Sequence, residues 1–170
     1  MTHKPAFLVI DVQQGLFERS APIYQADDVL KKINLLAAAA HEKKIPVIYI
    51  QHENDTFLKK GTREWQFHDQ IRPQEDDFLI AKLFRNAFEQ TKLHQLLQDQ
   101  QIDTIIASGL VTHGCVQATC LGGLELGYKV ILAKDAHSNS SQTAVQIIEK
   151  WHTKLADAGV ELLETSEINF

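Results

Sequence analysis

The stretch SGLVTHGCVQATC, residues 108–120, follows directly on an apolar run and indicates a strand, a turn and then a helix. The run at residues 105–107 supplies the strand, and Gly109 and Gly114 allow the chain to turn. Cys115 falls where the helix is expected to begin. The N–H groups and the dipole of a first helical turn favour a thiolate over a thiol. Because the thiolate is a nucleophile, the stretch predicts a reactive cysteine at the edge of a sheet.

Short apolar runs alternate with helical patterns through the rest of the chain. Continuous apolar runs are typical of strands buried on both faces, and their alternation with helices predicts a parallel sheet covered on both sides. The segment at residues 56–77 lacks periodicity, and a loop of this length often forms a pocket wall. Strands are predicted at residues 6–10, 46–50, 78–81, 102–108, 128–133 and 160–163, and helices at 27–44, 91–100, 114–126 and 140–156.

The composition is that of an ordinary globular protein with one domain, residues 1–170. A formal net charge of -5 argues against a nucleic-acid or anionic-membrane partner. No apolar run approaches the roughly 20 residues of a membrane span, and the first residues lack the layout of a signal peptide. Cys115 and Cys120 lie on different faces of one predicted helix, so they are not expected to pair. These features predict a cytoplasmic protein.

Three charged residues stand directly after predicted strands: Asp11, Lys82 and Asp135. With Cys115, they are expected at the carboxyl edge of the sheet, where ligands bind in such folds. Asp11 and Lys82 are expected to be partly buried and to pair, since a buried charge needs a partner. The carboxylate can then take the thiol proton, and the ammonium can stabilise negative charge.

The alternative interpretation is that polar residues at strand ends merely cap the strands and turn the chain. This interpretation suits Asp135 best, because Asp-Ala-His-Ser is typical of a turn into the next helix. For the other residues, the coincidence of an acid, a base and a thiol at one edge favours a catalytic role.

Four segments carry a family resemblance: FLVIDVQQGLF at residues 7–17, AKLFRNAF around Lys82, SGLVTHGCVQATC, and GYKVILAKDAHS. The chain resembles the isochorismatase-like cysteine hydrolases, a superfamily that includes nicotinamidases and N-carbamoyl amidases. The resemblance implies a three-layer α/β/α, Rossmann-like sandwich with a six-stranded, mostly parallel sheet. It also places the family's Asp–Lys–Cys triad on Asp11, Lys82 and Cys115, and it implies a homo-dimer or homo-tetramer.

The family has a cis peptide bond before its nucleophile, which by position would join Leu110 and Val111. The resemblance implies that this bond aims the Val111 N–H beside that of Cys115. The two donors would then form an oxyanion hole.

Nicotinamidases carry a metal site after the second strand, with an Asp-x-His pair and a further histidine. The corresponding sequence here is IQHEND, residues 50–55, in which no aspartate stands two residues before His52. A full set of ligands is therefore absent, which predicts no metal and no cofactor and argues against nicotinamide as the substrate.

Further residues are candidates for the substrate pocket because of their positions relative to the triad. The alternative for the aromatic ones is that they anchor a loop on the core. His113, two residues before the cysteine, is expected to contact substrate rather than to form a Cys–His dyad. The candidates are Gln13, Phe17, His52, Trp65 and His113.

The main hypothesis from sequence is a metal-independent hydrolase that cleaves a C–N bond of a small amide or N-carbamoyl compound through a thioester. One alternative is vinyl-ether hydrolysis of the isochorismatase type, which needs protonation by the aspartate and no cysteine nucleophile. Another is a non-catalytic binding module that retains the fold.

Overall fold

A six-stranded parallel sheet forms the centre of the computed structural model, which describes residues 3–170. The strand order is β3-β2-β1-β4-β5-β6, and every neighbouring pair is parallel. This sheet confirms the α/β fold predicted from the sequence. The strands are β1 (Pro5–Ile10), β2 (Val47–His52), β3 (Phe78–Lys82), β4 (Thr104–Leu110), β5 (Lys129–Ser138) and β6 (Glu161–Leu163).

Helices cover both faces of the sheet, because the strands bury apolar side chains on both sides. Along β1, Phe7 and Val9 pack against one helical layer, whereas Leu8 and Ile10 pack against the other. One layer is formed by α2, and the second contains α3, α4 and α5. The α-helices are α1 (Gln14–Phe17), α2 (Ala26–Glu42), α3 (Leu93–Asp99), α4 (Gln117–Glu125) and α5 (Ala144–Ala158), with a 3₁₀ turn at Thr165–Glu167.

The contact between β1 and β4 depends on Gly109. This glycine pairs with Ile10 and has a φ of 113°, a left-handed conformation that glycine adopts without a steric penalty. A Cβ at this position would clash with the carbonyl oxygen of Ile10. The missing side chain thus lets the end of β4 lie directly against the end of β1, where Asp11 begins the next segment.

Strand β5 is longer than the sequence predicts and runs on to Ser138. The pairing of β4 with β5 changes register between Ala107 and Gly109, and it then continues for two more residue pairs. Asp135 therefore lies within the strand, and its prediction as a turn residue at the sheet edge is wrong. Its carboxylate accepts hydrogen bonds from the N–H and hydroxyl of Thr165, both at 2.8 Å, and lies 3.2 Å from the Lys32 ammonium.

The long segment between β2 and β3 forms no helix and only one isolated bridge, between Phe67 and Gln13. Backbone hydrogen bonds nevertheless attach this segment to the residues that follow β1. The N–H groups of Gln14 and Gly15 donate to its carbonyls, and its own His68 N–H donates to Val12. Within residues 3–170, no helix has both the length and the apolar composition needed to cross a membrane.

Candidate active site

The buried ammonium of Lys82 is the centre of the candidate site. Lys82 is the last residue of β3, and its side chain has no exposed surface. Its Nζ lies 2.8 Å from Asp11 Oδ2, 3.1 Å from the Phe84 carbonyl oxygen, 3.1 Å from His52 Nδ1 and 3.2 Å from Cys115 Sγ. Three of the groups that the sequence places at the carboxyl edge of the sheet, Asp11, Lys82 and Cys115, are therefore in contact.

The position of Lys82 fixes the protonation state of His52. An ammonium group only donates hydrogen bonds, so His52 Nδ1 must accept, and the ring carries its proton on Nε2. Burial, together with the positive charge of Lys82, lowers the pKa of His52 and keeps the ring neutral. His52 also lines the cavity beside Cys115.

Asp11 offers an unused acceptor next to the cysteine. It follows β1 in the left-handed conformation, with a φ of 52°, and its side chain is buried. Oδ2 contacts Lys82, whereas Oδ1 has no hydrogen-bond partner among the residues that the structure describes. A carboxylate oxygen of Asp11 lies within 4.8 Å of Cys115 Sγ. Since buried acceptors are rarely left unpaired, the Asp11 carboxylate is placed to receive a proton from the thiol.

Cys115 lies in a kinked turn, Thr112–Val116, that joins β4 to α4, and Gly114 within it departs from helical geometry with φ -115° and ψ -110°. Burial, and then the nearby Asp11 carboxylate, raise the pKa of Cys115 to about 12, although Lys82 acts in the opposite direction. The prediction that a helix start favours the thiolate is therefore wrong for the resting protein. Cys115 precedes α4 rather than lying in its regular first turn, and loss of solvation disfavours the charged thiolate. The thiol consequently needs a base.

The turn before the cysteine has the geometry that the family resemblance implies. The peptide bond between Leu110 and Val111 is cis. The Val111 carbonyl accepts hydrogen bonds from the N–H groups of Gly114 and Val116, at 3.0 and 3.3 Å. Val111 and Cys115 both line the same cavity. The assignment of their N–H groups to an oxyanion hole stays a prediction.

A cavity of about 550 Å³ opens beside Cys115, within the usual size range of small-molecule sites. Asp11, His52 and Cys115 contribute its reactive groups. Exposed His113 also lines it, as do apolar and polar side chains from several segments. The remaining lining residues are Leu16, Arg19, Asn54, Phe57, Leu58, Arg85, Leu110, Val111, Gly114, Ser140, Ser141 and Ile147.

Three of the predicted pocket residues, Gln13, Phe17 and Trp65, lie outside this lining. Gln13 is fully buried; its amide donates to the carbonyls of His52 and Trp65, at 2.9 and 2.7 Å, and accepts from the His52 N–H at 2.9 Å. Phe17 packs against the ring of His68, with 4.4 Å between the ring centroids. Gln13 and Trp65 therefore connect β1, β2 and the long segment, and they hold the cavity wall in place.

Several cavity residues were not predicted from the sequence. Arg85 stands three residues after Lys82, within a segment that carries the family resemblance. Its closeness to Lys82 in the sequence could have indicated that it lies near the site. Asn54, Phe57 and Leu58 belong to an irregular segment, where no periodicity shows which side chains face inward.

A metal ion of the nicotinamidase type does not fit this site. Asp11, His52 and Cys115 have ligand atoms within 4.8 Å of one another, and no other such cluster occurs in residues 3–170. However, the Lys82 ammonium already lies within 3.2 Å of an atom from each of them. A second cation would meet this charge, and the Nδ1 lone pair of His52 is already used.

The isochorismatase domain family matches residues 5–166, which is almost the whole chain. The protein belongs to the isochorismatase family. It is 24% identical to a secreted isochorismatase effector of Verticillium dahliae, over 99% of this chain and 92% of that protein. It is 26% identical to a maleamate amidohydrolase of Pseudomonas putida, over 80% and 75% of the two chains. A solved structure of an isochorismatase family protein is 32% identical, with a TM-score of 0.88 over 95% and 98% of the two chains.

Proposed function

We propose that this isochorismatase-family hydrolase cleaves a C–N bond of a small amide or N-carbamoyl compound through a thioester on Cys115. One observation carries the proposal: a protonated thiol lies within 4.8 Å of the buried Asp11 carboxylate, and one oxygen of that carboxylate has no hydrogen-bond partner among the described residues. Such a pair suits nucleophilic catalysis with a general base. The similarity to an amidohydrolase supports the choice of a C–N bond.

In the first half of the reaction, Asp11 takes the proton of Cys115, and Sγ attacks the carbonyl carbon of the substrate. The oxygen of the tetrahedral intermediate receives hydrogen bonds from the N–H groups of Val111 and Cys115. Asp11 returns the proton to the nitrogen as the C–N bond breaks. Ammonia or an amine leaves, and the acyl group remains on Sγ.

In the second half, water enters and Asp11 takes one of its protons. The hydroxide attacks the thioester carbon, the C–S bond breaks, and Sγ recovers the proton as the acid product leaves. Lys82, 3.2 Å from Sγ, balances the negative charge that develops on sulfur in both halves. His52 lines the cavity beside Cys115 and is placed to contact the bound substrate.

The test is a screen of small amides, ureides and N-carbamoyl compounds for ammonia release, with the variants Cys115→Ala and Cys120→Ala. Cys120 is the matched control, because it is fully buried and lies in α4 outside the cavity lining. We expect Cys115→Ala to reduce turnover to the buffer rate and Cys120→Ala to retain it. Intact-mass analysis of acid-quenched protein should show an acyl adduct on Cys115. Full turnover by Cys115→Ala would overturn the proposal.

A further inference from the structure

Two arginines, Arg19 and Arg85, line the cavity without a carboxylate partner. Neither forms an ion pair with any residue in the described part of the chain, whereas the nearby Arg63 pairs with Glu18 and Asp69. The Arg19 guanidinium lies 4.4 Å from the centroid of the Phe57 ring, so an aromatic contact holds it at the cavity wall. Two guanidinium groups are therefore available to a ligand.

The rest of the lining does not balance these charges. Among the described residues, Asp11 is the only acid that lines the cavity, and its carboxylate is paired with the buried Lys82 ammonium. The ring of His52 is neutral, because its Nδ1 accepts a hydrogen bond from the Lys82 ammonium. The cavity thus carries a net positive charge, although the chain as a whole has a formal charge of -5. A positive cavity in an acidic protein attracts anionic ligands selectively.

We infer that the substrate carries a carboxylate in addition to its scissile amide, and that Arg19 and Arg85 bind this carboxylate. The inference rests on the proposed function, because that function places the amide carbonyl at Cys115. The planar guanidinium group matches a carboxylate in shape and binds it through two parallel hydrogen bonds. The apolar side chains of Leu16, Phe57 and Ile147 line the same cavity and suit a short hydrocarbon link between the two ends of the substrate.

The first experiment measures charge selectivity without requiring hydrolysis. Iodoacetate and iodoacetamide alkylate the same thiol and differ in that only iodoacetate carries a carboxylate. We would measure the ratio of their rate constants at Cys115 by peptide mass spectrometry and divide it by the ratio for glutathione under the same conditions. The variants are Arg19→Gln, Arg85→Gln and the double variant. The matched control is Arg72→Gln, because Arg72 is exposed like Arg19 and Arg85 but does not line the cavity.

For the wild-type protein, we expect a normalised ratio of iodoacetate to iodoacetamide rate constants on the order of 10. The ratio should fall with added salt, because the positive charge of the cavity attracts the anion. Each arginine variant should lower the ratio, the double variant should bring it close to 1, and Arg72→Gln should leave it unchanged. A wild-type ratio near 1, or a ratio that the arginine variants do not alter, would overturn the inference.

The second experiment compares hydrolysis of butanamide with that of the monoamide of succinic acid. Both compounds have four carbons, but butanamide ends in a methyl group and the monoamide of succinic acid ends in a carboxylate. We expect kcat/KM to be on the order of tenfold higher for the acid, and this preference to disappear in the double variant. Equal hydrolysis of both, together with a normalised alkylation ratio near 1, would reject the carboxylate site and leave the amidase proposal intact. An arginine-dependent alkylation ratio, with no hydrolysis of any amide, would reject the amidase proposal and leave the anion site intact.

Discussion

At the scale of single residues, the Asp11–Lys82 ion pair gives the sharpest prediction. Both side chains are buried, and their charged atoms lie 2.8 Å apart. Replacing Asp11 with Asn leaves the Lys82 ammonium buried without a counter-charge, which typically costs about 3–5 kcal/mol. We therefore expect Asp11→Asn to lose ammonia release and to lower the free energy of unfolding by about that amount. Urea unfolding followed by circular dichroism measures the stability change.

The double variant Asp11→Asn/Lys82→Met separates stability from catalysis. Removing both charges leaves no unpaired ion, so much of the lost free energy of unfolding should return while activity stays absent. If the free energy of unfolding of Asp11→Asn alone lies within about 1 kcal/mol of the wild-type value, the buried ion pair does not stabilise the fold as described.

The protonation state of Cys115 gives a second prediction at this scale. Because burial and Asp11 raise its pKa to about 12, the thiolate fraction should rise about tenfold per pH unit throughout the range from pH 7 to 10. The rate constant for alkylation by iodoacetamide should follow this rise without a plateau. Glutathione, measured in parallel, should level off above the ordinary thiol pKa of about 8.5. A plateau at Cys115 below pH 8 would show that the thiolate is already stabilised in the resting protein.

The sequence predicts which residues meet at the site better than it predicts their chemical state. Asp11 and Lys82 follow apolar runs, and the geometry of parallel strands brings their ends together. The state of Cys115 depends on how deeply the neighbouring elements bury it, which no local pattern encodes. The hydrogen bonds of Gln13 were not predictable either, because its partners stand 39 and 52 residues away in the chain.

At the scale of elements, a chain of hydrogen bonds ties the turn that carries Cys115 to β5 and α5. Thr112 Oγ1 lies 2.8 Å from His137 Nδ1, and His137 Nε2 lies 2.8 Å from His152 Nε2. His137 is buried; loss of solvation, and then His152, lower its pKa to about 3, while Asp135 acts in the opposite direction. His137 is therefore neutral in the folded protein at neutral and mildly acidic pH.

This buried histidine predicts a loss of stability in acid. The unfolded chain binds a proton on His137 below its ordinary pKa of about 6.5, whereas the folded protein does so only near pH 3. Stability contributed by neutral His137 is complete above pH 6.5 and declines as the pH falls toward 3, by up to about 1.4 kcal/mol per pH unit. His137→Gln should reduce the pH dependence of the free energy of unfolding between pH 7 and 5.

The matched control for this prediction is His113→Gln, since His113 is exposed in the cavity. Urea unfolding at pH 7, 6 and 5 gives the slope for each protein. The slope should be shallower in His137→Gln than in His113→Gln; equal slopes would mean that His137 does not resist protonation in the fold.

Local sequence patterns predict one strand boundary correctly and miss another. The end of β1 coincides with the end of its apolar run, because the next residue, Asp11, turns into the left-handed conformation. Strand β5 continues past Lys134 and Asp135 because the change of register and the partners Lys32 and Thr165 accommodate polar side chains within it. Polar residues ordinarily indicate the end of a buried strand, so the sequence pattern predicts an end of β5 that is too early.

At the scale of the whole molecule, the alternation of strands and helices predicts the parallel sheet, since crossover helices are the usual connection between parallel neighbours. The path of the long segment between β2 and β3 could not be predicted in the same way. It is fixed by backbone hydrogen bonds to Val12 and Gly15 and by two buried glutamines, Gln13 and Gln51, whose amides both donate to the Trp65 carbonyl. Such contacts depend on the complete fold.

These anchors predict that the segment unfolds together with the rest of the chain. The protein has two tryptophans: Trp65 in the segment and Trp151 in α5. Trp151→Phe leaves Trp65 as the sole tryptophan reporter, and Trp65→Phe leaves Trp151. In each variant, we expect the urea midpoint from tryptophan fluorescence to coincide with the midpoint from far-ultraviolet circular dichroism, as in a single cooperative transition. Because both probes are read on the same variant, any destabilisation by the substitution affects them equally. An earlier fluorescence change from Trp65 alone would mean that the cavity wall opens independently, and that residues 1–170 do not unfold as one domain.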